Sequence, residues 1–419
     1  EIIAVGDELL TPYYQDTNSL YITERLNDLG WEVNFKTIVG DSQDDLVKCI
    51  HSSLARSDVL FFIGGLGPTE DDRTREVLAS TLGKKLIFDE EILHRIRQRF
   101  ERRGFKMPAV NNKQAYIIEG SSVLFNEFGT APGLWLEVEE KTLVLLPGPP
   151  HELKPMFENL VLPRFQKVHK CYTARRVLKT AGLTESRIEA LLRDIYPLPP
   201  SVRLTTLAYP GQIELHIFSH SMENNKDAAE TIAHLECELQ KRLGENIFSS
   251  TGEELEEVIG SLLKLAKKTL SIAESCSGGF LSHRITNVSG SSDYFTQGVV
   301  TYSNKSKVQL LGVSDDLILQ HGAVSREVAE AMAVGIREKS GSDIGLSITG
   351  IAGPKGGTPK KPVGLVYVGL ACVNETQVDK NIFLGHREIV KSQSAQKALD
   401  MLRRHLLQYQ KTQSNNQAV

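Results

Sequence analysis

The sequence predicts a multidomain α/β protein: a doubly wound N-terminal domain, a small α+β connector and a C-terminal α/β domain. Three observations carry that expectation. The chain has 419 residues, more than one hydrophobic core normally organises, so two or three domains are expected. Short apolar runs alternate with amphipathic stretches near both ends of the chain, as in strands joined by helices. Finally, two glycine-rich turns each come directly after an apolar run, GGLGPTEDDRT at Gly64 to Thr74 and AESCSGGFLSHRI at Ala273 to Ile285. Their separation assigns them to different domains and to separate small-molecule sites.

From Glu1 to about Leu160, the runs Glu1 to Val5 and Val59 to Ile63 suit buried parallel strands. Asn18 to Leu29 has helical spacing and stops at Gly30. Between residues 161 and 250 the pattern changes to a helix at Glu185 to Leu192 and a strand at Gln212 to Phe218, with Ile213, Leu215 and Ile217 on one face. The third unit, residues 251–409, has helices at Leu255 to Ala266 and Ser325 to Ser340, which flank strands at Ile344 to Ile348 and Val363 to Leu370. Residues 410–419 are polar and are expected to form a flexible, fraying tail.

Composition narrows the class. With 41% hydrophobic and 24% charged residues, the chain can fill its cores and stay in solution. A formal net charge of −4 argues against an obligatory nucleic-acid surface. The five cysteines, Cys49, Cys171, Cys237, Cys276 and Cys372, show no metal-ligand spacing, which suits a reducing compartment. No apolar stretch approaches the roughly 20 residues needed to cross a bilayer. A cytoplasmic location without membrane contact is expected.

The upstream turn offers a phosphate site. Gly64, Gly65 and Gly67 let the backbone approach a ligand, and Asp71 and Asp72 can hold Mg2+ against a phosphate. Asp41 and Asp44 stand at the start of another helix and either reach the same edge or cap that helix. The same residues also fit an ordinary turn and an acidic helix N-terminus. GTAPG at Gly129 to Gly133 and PGPPHE at Pro147 to Glu152 add rigid turns, and neither is a Walker A loop.

The downstream turn offers a nucleophile. GSSDYF at Gly290 to Phe295 leads into TYSNKSK, so a serine precedes Tyr302, Lys305 and Lys307. A neutral lysine can activate a serine hydroxyl. Ser292 with Lys307 is one pair, and Ser275 with the same lysine is its rival; helix capping is the alternative for either serine. Cys276 lacks a histidine and acid at cysteine-hydrolase spacing. TGIAGPKGG, Thr349 to Gly357, brings Gly350, Gly353 and a hydroxyl to a strand end, where backbone donors can meet a phosphate or an oxyanion. Arg387 is a phosphate-clamp candidate, and Lys360 and Lys361 either attract an anion or form a solvated turn.

These motifs, in this order, resemble the competence/damage-inducible protein CinA family across almost the full chain. GDELL, DTNSLY, VGD, GGLGPTEDDRT, NNKQA, GTAPG and LPGPP carry the N-terminal resemblance. It implies a molybdopterin-cofactor-biosynthesis-like domain with ADP-ribose pyrophosphatase activity and a divalent cation such as Mg2+, held by some of Asp41, Asp71 and Asp72. AESCSGG, GSSDYF, GVVTYSNKSK, HGAVS, TGIAGPKGG and KPVG resemble the nicotinamide mononucleotide amidohydrolase domain, an amidase-like unit that needs no cofactor. Asp7 and the Thr11–Pro12 turn depart from the family pattern.

The resemblance implies Ser292 as nucleophile and Lys307 as base, with Ser275 as a pocket residue and rival nucleophile. Tyr302 and Thr349 would orient the amide or phosphate, Arg387 would clamp the phosphate, and Gly278 and Gly279 would line the substrate site. The expected substrates are nicotinamide mononucleotide and ADP-ribose, and the expected assembly is a homodimer. The alternative is a non-catalytic nucleotide-binding or competence-associated scaffold, which would bind ligands without turnover.

Overall fold

A computed structural model describes residues 1–168 and 171–417. Contacts divide the chain into two compact units, Glu1–Thr173 with His220–Asn225, and Ala174–Ser219 with the chain from Lys226 onward.

The first unit opens with β1 (Ile2–Val5), α1 (Asn18–Asp28), β2 (Lys36–Val39), α2 (Gln43–Arg56) and β3 (Val59–Ile63). It continues through α3 (Thr74–Thr81), β4 (Leu86–Phe88), α4 (Glu90–Arg102), β5 (Tyr116–Ile118), β6 (Ser122–Leu124), β7 (Gly133–Val138) and β8 (Lys141–Leu146). The helices α5 (Pro150–Met156) and α6 (Leu162–Val168) come next. Six strands form one sheet in the order β2-β1-β3-β8-β7-β6. The first four are parallel, whereas β7 and β6 run antiparallel. Alternate residues of the central strands enter different cores. Ile3, Leu60, Phe62 and Leu145 join one cluster, and Ile2, Phe61, Val144 and Leu146 join the other. Burial on both faces is why these strands read as unbroken apolar runs. Because β2 and β3 lie on opposite sides of β1, the chain order reverses there. That opens a crevice at the carboxyl ends of β1 and β3.

The second unit contains the connector and the C-terminal sheet. The connector comprises β9 (Tyr172–Ala181), α7 (Glu185–Leu192), β10 (Val202–Tyr209), β11 (Gln212–Ser221), α8 (Asn225–Leu243) and β12 (Ile247–Ser249). Its sheet order is β10-β11-β9-β12. Ile213, Leu215 and Ile217 share a buried face against Ile188, Ile232 and Leu239, as the alternation in that strand requires.

The chain then forms α9 (Leu255–Ala266), β13 (Leu270–Glu274), α10 (Phe280–Asn287), β14 (Phe295–Val300) and α11 (Asn304–Leu311). It ends with α12 (Asp315–His321), α13 (Arg326–Ser340), β15 (Ile344–Gly350), β16 (Leu365–Ala371), β17 (Thr376–Ile382) and α14 (Arg387–Gln417). Five strands lie in the order β14-β13-β15-β16-β17. β14, β13 and β15 are parallel, and β16 and β17 are antiparallel. Helices α9, α10 and α14 cover one face; α11, α12 and α13 cover the other. The order reverses at β13, so a second crevice opens at the carboxyl ends of β13, β14 and β15.

The polar segment from Gln410, expected to fray, continues α14 to Gln417. Its Gln and Lys residues are good helix formers, so polarity there does not end the helix; residues 418 and 419 lie outside the described residues. Within the described residues, no helix is long and apolar enough to cross a membrane.

Candidate functional site

The C-terminal crevice is built on a buried acid. Glu274, the last residue of β13, is fully buried. Its carboxylate accepts from the backbone N–H groups of Gly279, Leu281 and Ser282 at 2.8–3.1 Å, and from the Ser282 hydroxyl at 2.7 Å. An anion at a helix N-terminus satisfies donors that the helix itself cannot. Here it ties the Ser275–Gly279 turn to the strand. Gly279 has a φ of 93°, left-handed backbone that a side-chain-bearing residue adopts only at a cost. Sequence reading passed over Glu274, although an acid ending an apolar strand directly before a serine–glycine turn is a visible signal.

The turn delivers Ser275 to Lys307. Lys307 Nζ lies 3.0 Å from Ser275 Oγ and 2.8 Å from the carbonyl oxygen of Thr301. Only 8% of Ser275 and 1% of Lys307 are exposed. Lys307 is fixed by α11, whose first turn is capped reciprocally by Ser303 and Ser306. Burial pulls the lysine below its ordinary value, since a charged ammonium loses hydration there. Lys307 has no carboxylate partner within 4 Å among the described residues to reverse that effect.

Ser292 is elsewhere. It sits exposed in the single turn Ser291–Asp293 that precedes β14. Strands β13 and β14 are parallel with Leu270 opposite Phe295 and Glu274 opposite Val300. Ser292 therefore lies at the amino ends of strands that run about 16 Å, and Ser275 and Lys307 lie beyond their carboxyl ends. The expected Ser292–Lys307 pair is not formed, and the rival pair is.

Cys276 is no competitor for the nucleophile's role. Its side chain packs in the core, and burial pushes its thiol up to about 12. A thiol so rarely ionised is a poor nucleophile.

At the mouth of the crevice, Arg387 donates to the Tyr302 hydroxyl and to the Gly353 carbonyl oxygen, both at 2.9 Å. Both side chains are exposed, so the guanidinium can meet a ligand anion. Lys391 stands one helical turn later, its Nζ 3.7 Å from where a Cβ on Gly278 would sit. That spacing puts two cations on one face of α14. Sequence reading missed Lys391, which the i, i+4 relation to Arg387 could have revealed.

Thr349 is buried, and its hydroxyl donates to the carbonyl oxygen of Ala323 at 2.8 Å. That bond braces the loop at Ala323 and leaves the hydroxyl oxygen only as an acceptor. Gly350 ends β15. Lys361 donates to the carbonyl oxygens of His321 and Val324, which ties its turn to the chain after α12.

The N-terminal crevice is a cavity of about 530 Å³, whose walls include Gly64, Gly65, Gly67, Asp41, Asp71 and Asp72. Gly64 is required by close approach: a Cβ there would lie 2.4 Å from the Val5 carbonyl oxygen. The motif NNKQA supports the glycine turn from behind. Lys113 Nζ donates to the carbonyl oxygens of Thr69 and Asp72, and Gln114 reaches that of Leu66. Asp7 and Asp41 each accept the other's backbone N–H, at 3.0 and 2.9 Å. Burial holds the Asp41 carboxyl above its ordinary value, and the nearby Asp7, Glu8 and Asp71 charges add to this. One Asp72 oxygen accepts both the backbone N–H and the hydroxyl of Thr69.

Three family models match the chain in succession: a probable molybdopterin binding domain over residues 1–167, a damage-inducible protein CinA KH domain over 175–249 and a CinA C-terminal domain over 252–406. A CinA-like protein of Koribacter versatilis is 46% identical over 414 residues, covering 97% of this chain and 99% of its own. The chain belongs to the CinA family.

A putative competence-damage inducible protein of Caldicellulosiruptor bescii is similar in the same way to this CinA chain, 44% identical over 409 residues, covering 98% of this chain and 99% of its own. Among solved structures, competence/damage inducible protein CihA from Agrobacterium tumefaciens is 34% identical and spans 37% of this chain and 97% of its own, with a TM-score of 0.34. This CinA chain thus combines a Rossmann-like N-terminal sheet resembling molybdopterin-biosynthesis proteins, a KH-like α+β connector and the CinA C-terminal domain.

Proposed function

We propose that the C-terminal domain hydrolyses nicotinamide mononucleotide to nicotinic acid mononucleotide and ammonia, with Ser275 as nucleophile and Lys307 as its base. The observation that carries this reading is the buried 3.0 Å contact between Lys307 Nζ and Ser275 Oγ. A neutral amine that donates one N–H to the Thr301 carbonyl keeps its lone pair for the serine proton.

Lys307 takes that proton as Oγ attacks the carboxamide carbon. It returns the proton to the departing nitrogen, so ammonia leaves and an ester to Ser275 remains. Water, deprotonated by the same lysine, cleaves the ester and restores the hydroxyl. Arg387, oriented by Tyr302 and Gly353, holds the distant phosphate, with Lys391 beside it. Binding at that remote group keeps the amide aligned with Ser275.

The test is incubation of the purified protein with nicotinamide mononucleotide, with both products quantified. Stoichiometric acid mononucleotide and ammonia are expected, and saturable binding without either product would leave the scaffold alternative. The base must be neutral, and its pKa is lowered. The rate should therefore rise with pH through a value below that of an ordinary lysine and then level off. A rate that falls as pH rises across that range would remove Lys307 as the base.

For the N-terminal domain we propose divalent-cation-dependent cleavage of ADP-ribose to AMP and ribose 5-phosphate. Among the described residues, no group of three His, Cys, Asp or Glu is gathered to hold a metal ion, so the domain forms no all-protein cage. Mg2+ characteristically uses one or two carboxylates plus substrate phosphates, and the crowded Asp41 and Asp71 on one cavity wall fit that mode. The cation would supply charge neutralisation at phosphorus and an activated water. A chelator is expected to stop AMP formation and leave ammonia release from nicotinamide mononucleotide unchanged. Asp71→Asn should reduce AMP formation without moving the melting temperature; full activity in that variant would take Asp71 out of the site.

A further inference from the structure

Beside the acid-lined cavity, on the far side of the Gly129–Thr130 loop, lies a cavity of opposite character. It is a solvent-open concavity of about 440 Å³, and its walls include Arg95, Arg99, Arg102, Arg103, Phe125 and Thr130. Thr130 also lines the acid-lined cavity, so one loop divides the two. The loop is fixed from within by Asn126. Its carbonyl oxygen accepts from the backbone N–H groups of Phe128 and Gly129, and its amide donates to Ala131 and Glu152.

The arginines come from one face of α4 and its C-terminal cap, at spacings of four, three and one residues. Helix geometry stacks 95, 99, 102 and 103 along one side and points 97 to the other. Two of them are held in place. Arg95 bonds Glu91 and lies 3.9 Å over the Phe125 ring, and Arg99 donates to the carbonyl oxygens of Glu127 and Phe128. Arg102 and Arg103 have no side-chain hydrogen bond or ion pair among the described residues. The helix dipole accounts for cations in a last turn. It does not account for their convergence on a concave wall whose one lining carboxylate is Glu127.

We propose that this arginine-lined cavity is an anion site for a small ligand bearing adjacent phosphate groups, distinct from both substrate sites. Each free guanidinium presents a planar fork that pairs two phosphate oxygens, and two neighbouring forks match two neighbouring phosphates. The volume suits a small molecule. A nucleic-acid strand would need a continuous basic track, which four arginines in one concavity on a chain of net charge −4 do not offer.

The full-length protein, titrated calorimetrically with inorganic tripolyphosphate at 0.05 and 0.15 M salt, tests this. Saturable binding that weakens with salt is expected. It should fall at least tenfold in Arg102→Gln/Arg103→Gln, fall less in Arg102→Lys/Arg103→Lys, which keep charge and lose the fork, and stay unchanged in Arg97→Gln. Arg387→Ala should remove only the binding step that belongs to the C-terminal mouth and leave the step lost in Arg102→Gln/Arg103→Gln, which separates the two sites. A nucleoside triphosphate arm shows whether the base adds affinity or the phosphates suffice. The proposal is overturned by no saturation at millimolar tripolyphosphate, by equal binding in the glutamine double variant, or by binding of a single-stranded oligonucleotide in place of tripolyphosphate.

Discussion

Ser275→Ala is expected to lower ammonia release from nicotinamide mononucleotide by ~10³-fold or more, because the removed hydroxyl forms and breaks the covalent bond. Ser292→Ala, on an exposed turn at the opposite end of the sheet, should stay within about twofold of the native rate, as a surface change remote from the chemistry. Lys307→Met should lose ~10²–10⁴-fold, the usual contribution of a general base. Steady-state rates of the three variants, each with an unchanged circular dichroism spectrum, decide the assignment. Full activity in Ser275→Ala would sink it.

The second large effect is structural in origin. Glu274→Ala removes the acceptor of three backbone N–H groups and one hydroxyl, and each buried donor left unpaired costs about 1–3 kcal/mol. A loss on the order of 3 kcal/mol or more in the C-terminal unit is therefore expected. That corresponds to a fall in melting temperature of roughly 10 °C for a domain of this size. Catalysis should fail together with stability, because the donors that Glu274 holds belong to the turn carrying Ser275. Glu274→Gln keeps the shape but sets one amide N–H against backbone N–H donors, so it should fall between. A melting temperature unmoved by Glu274→Ala would show that the turn holds itself.

Much of the architecture is legible in residue pattern. Val59–Ile63 and Leu255–Ala266 occupy the segments their periodicity predicts, because a doubly buried strand and an amphipathic helix each impose a distinct spacing. Which serine meets Lys307 is harder to read from the sequence. Ser292 is 15 residues from Lys307 and Ser275 is 32, and closeness along the chain favours the serine that does not meet the lysine. Parallel strands joined by a helix gather at one edge of the sheet the residues just past their carboxyl ends, and Ser275 and Thr301 each stand directly past such an end. Thr349 is legible only in part: a hydroxyl in a glycine-rich strand end shows its chemistry in sequence, but not which carbonyl accepts its proton.

The position of Cys276 has a chemical consequence. Hydrolases built on a reactive thiolate are silenced by peroxides, alkylating agents and soft metal ions, all of which seek ionised sulfur. Here the residue next to Ser275 carries sulfur that faces the core and holds its proton, and the atoms proposed to do the work are an oxygen and a nitrogen. An amidase of this design would keep turning over under oxidative stress that stops a cysteine hydrolase.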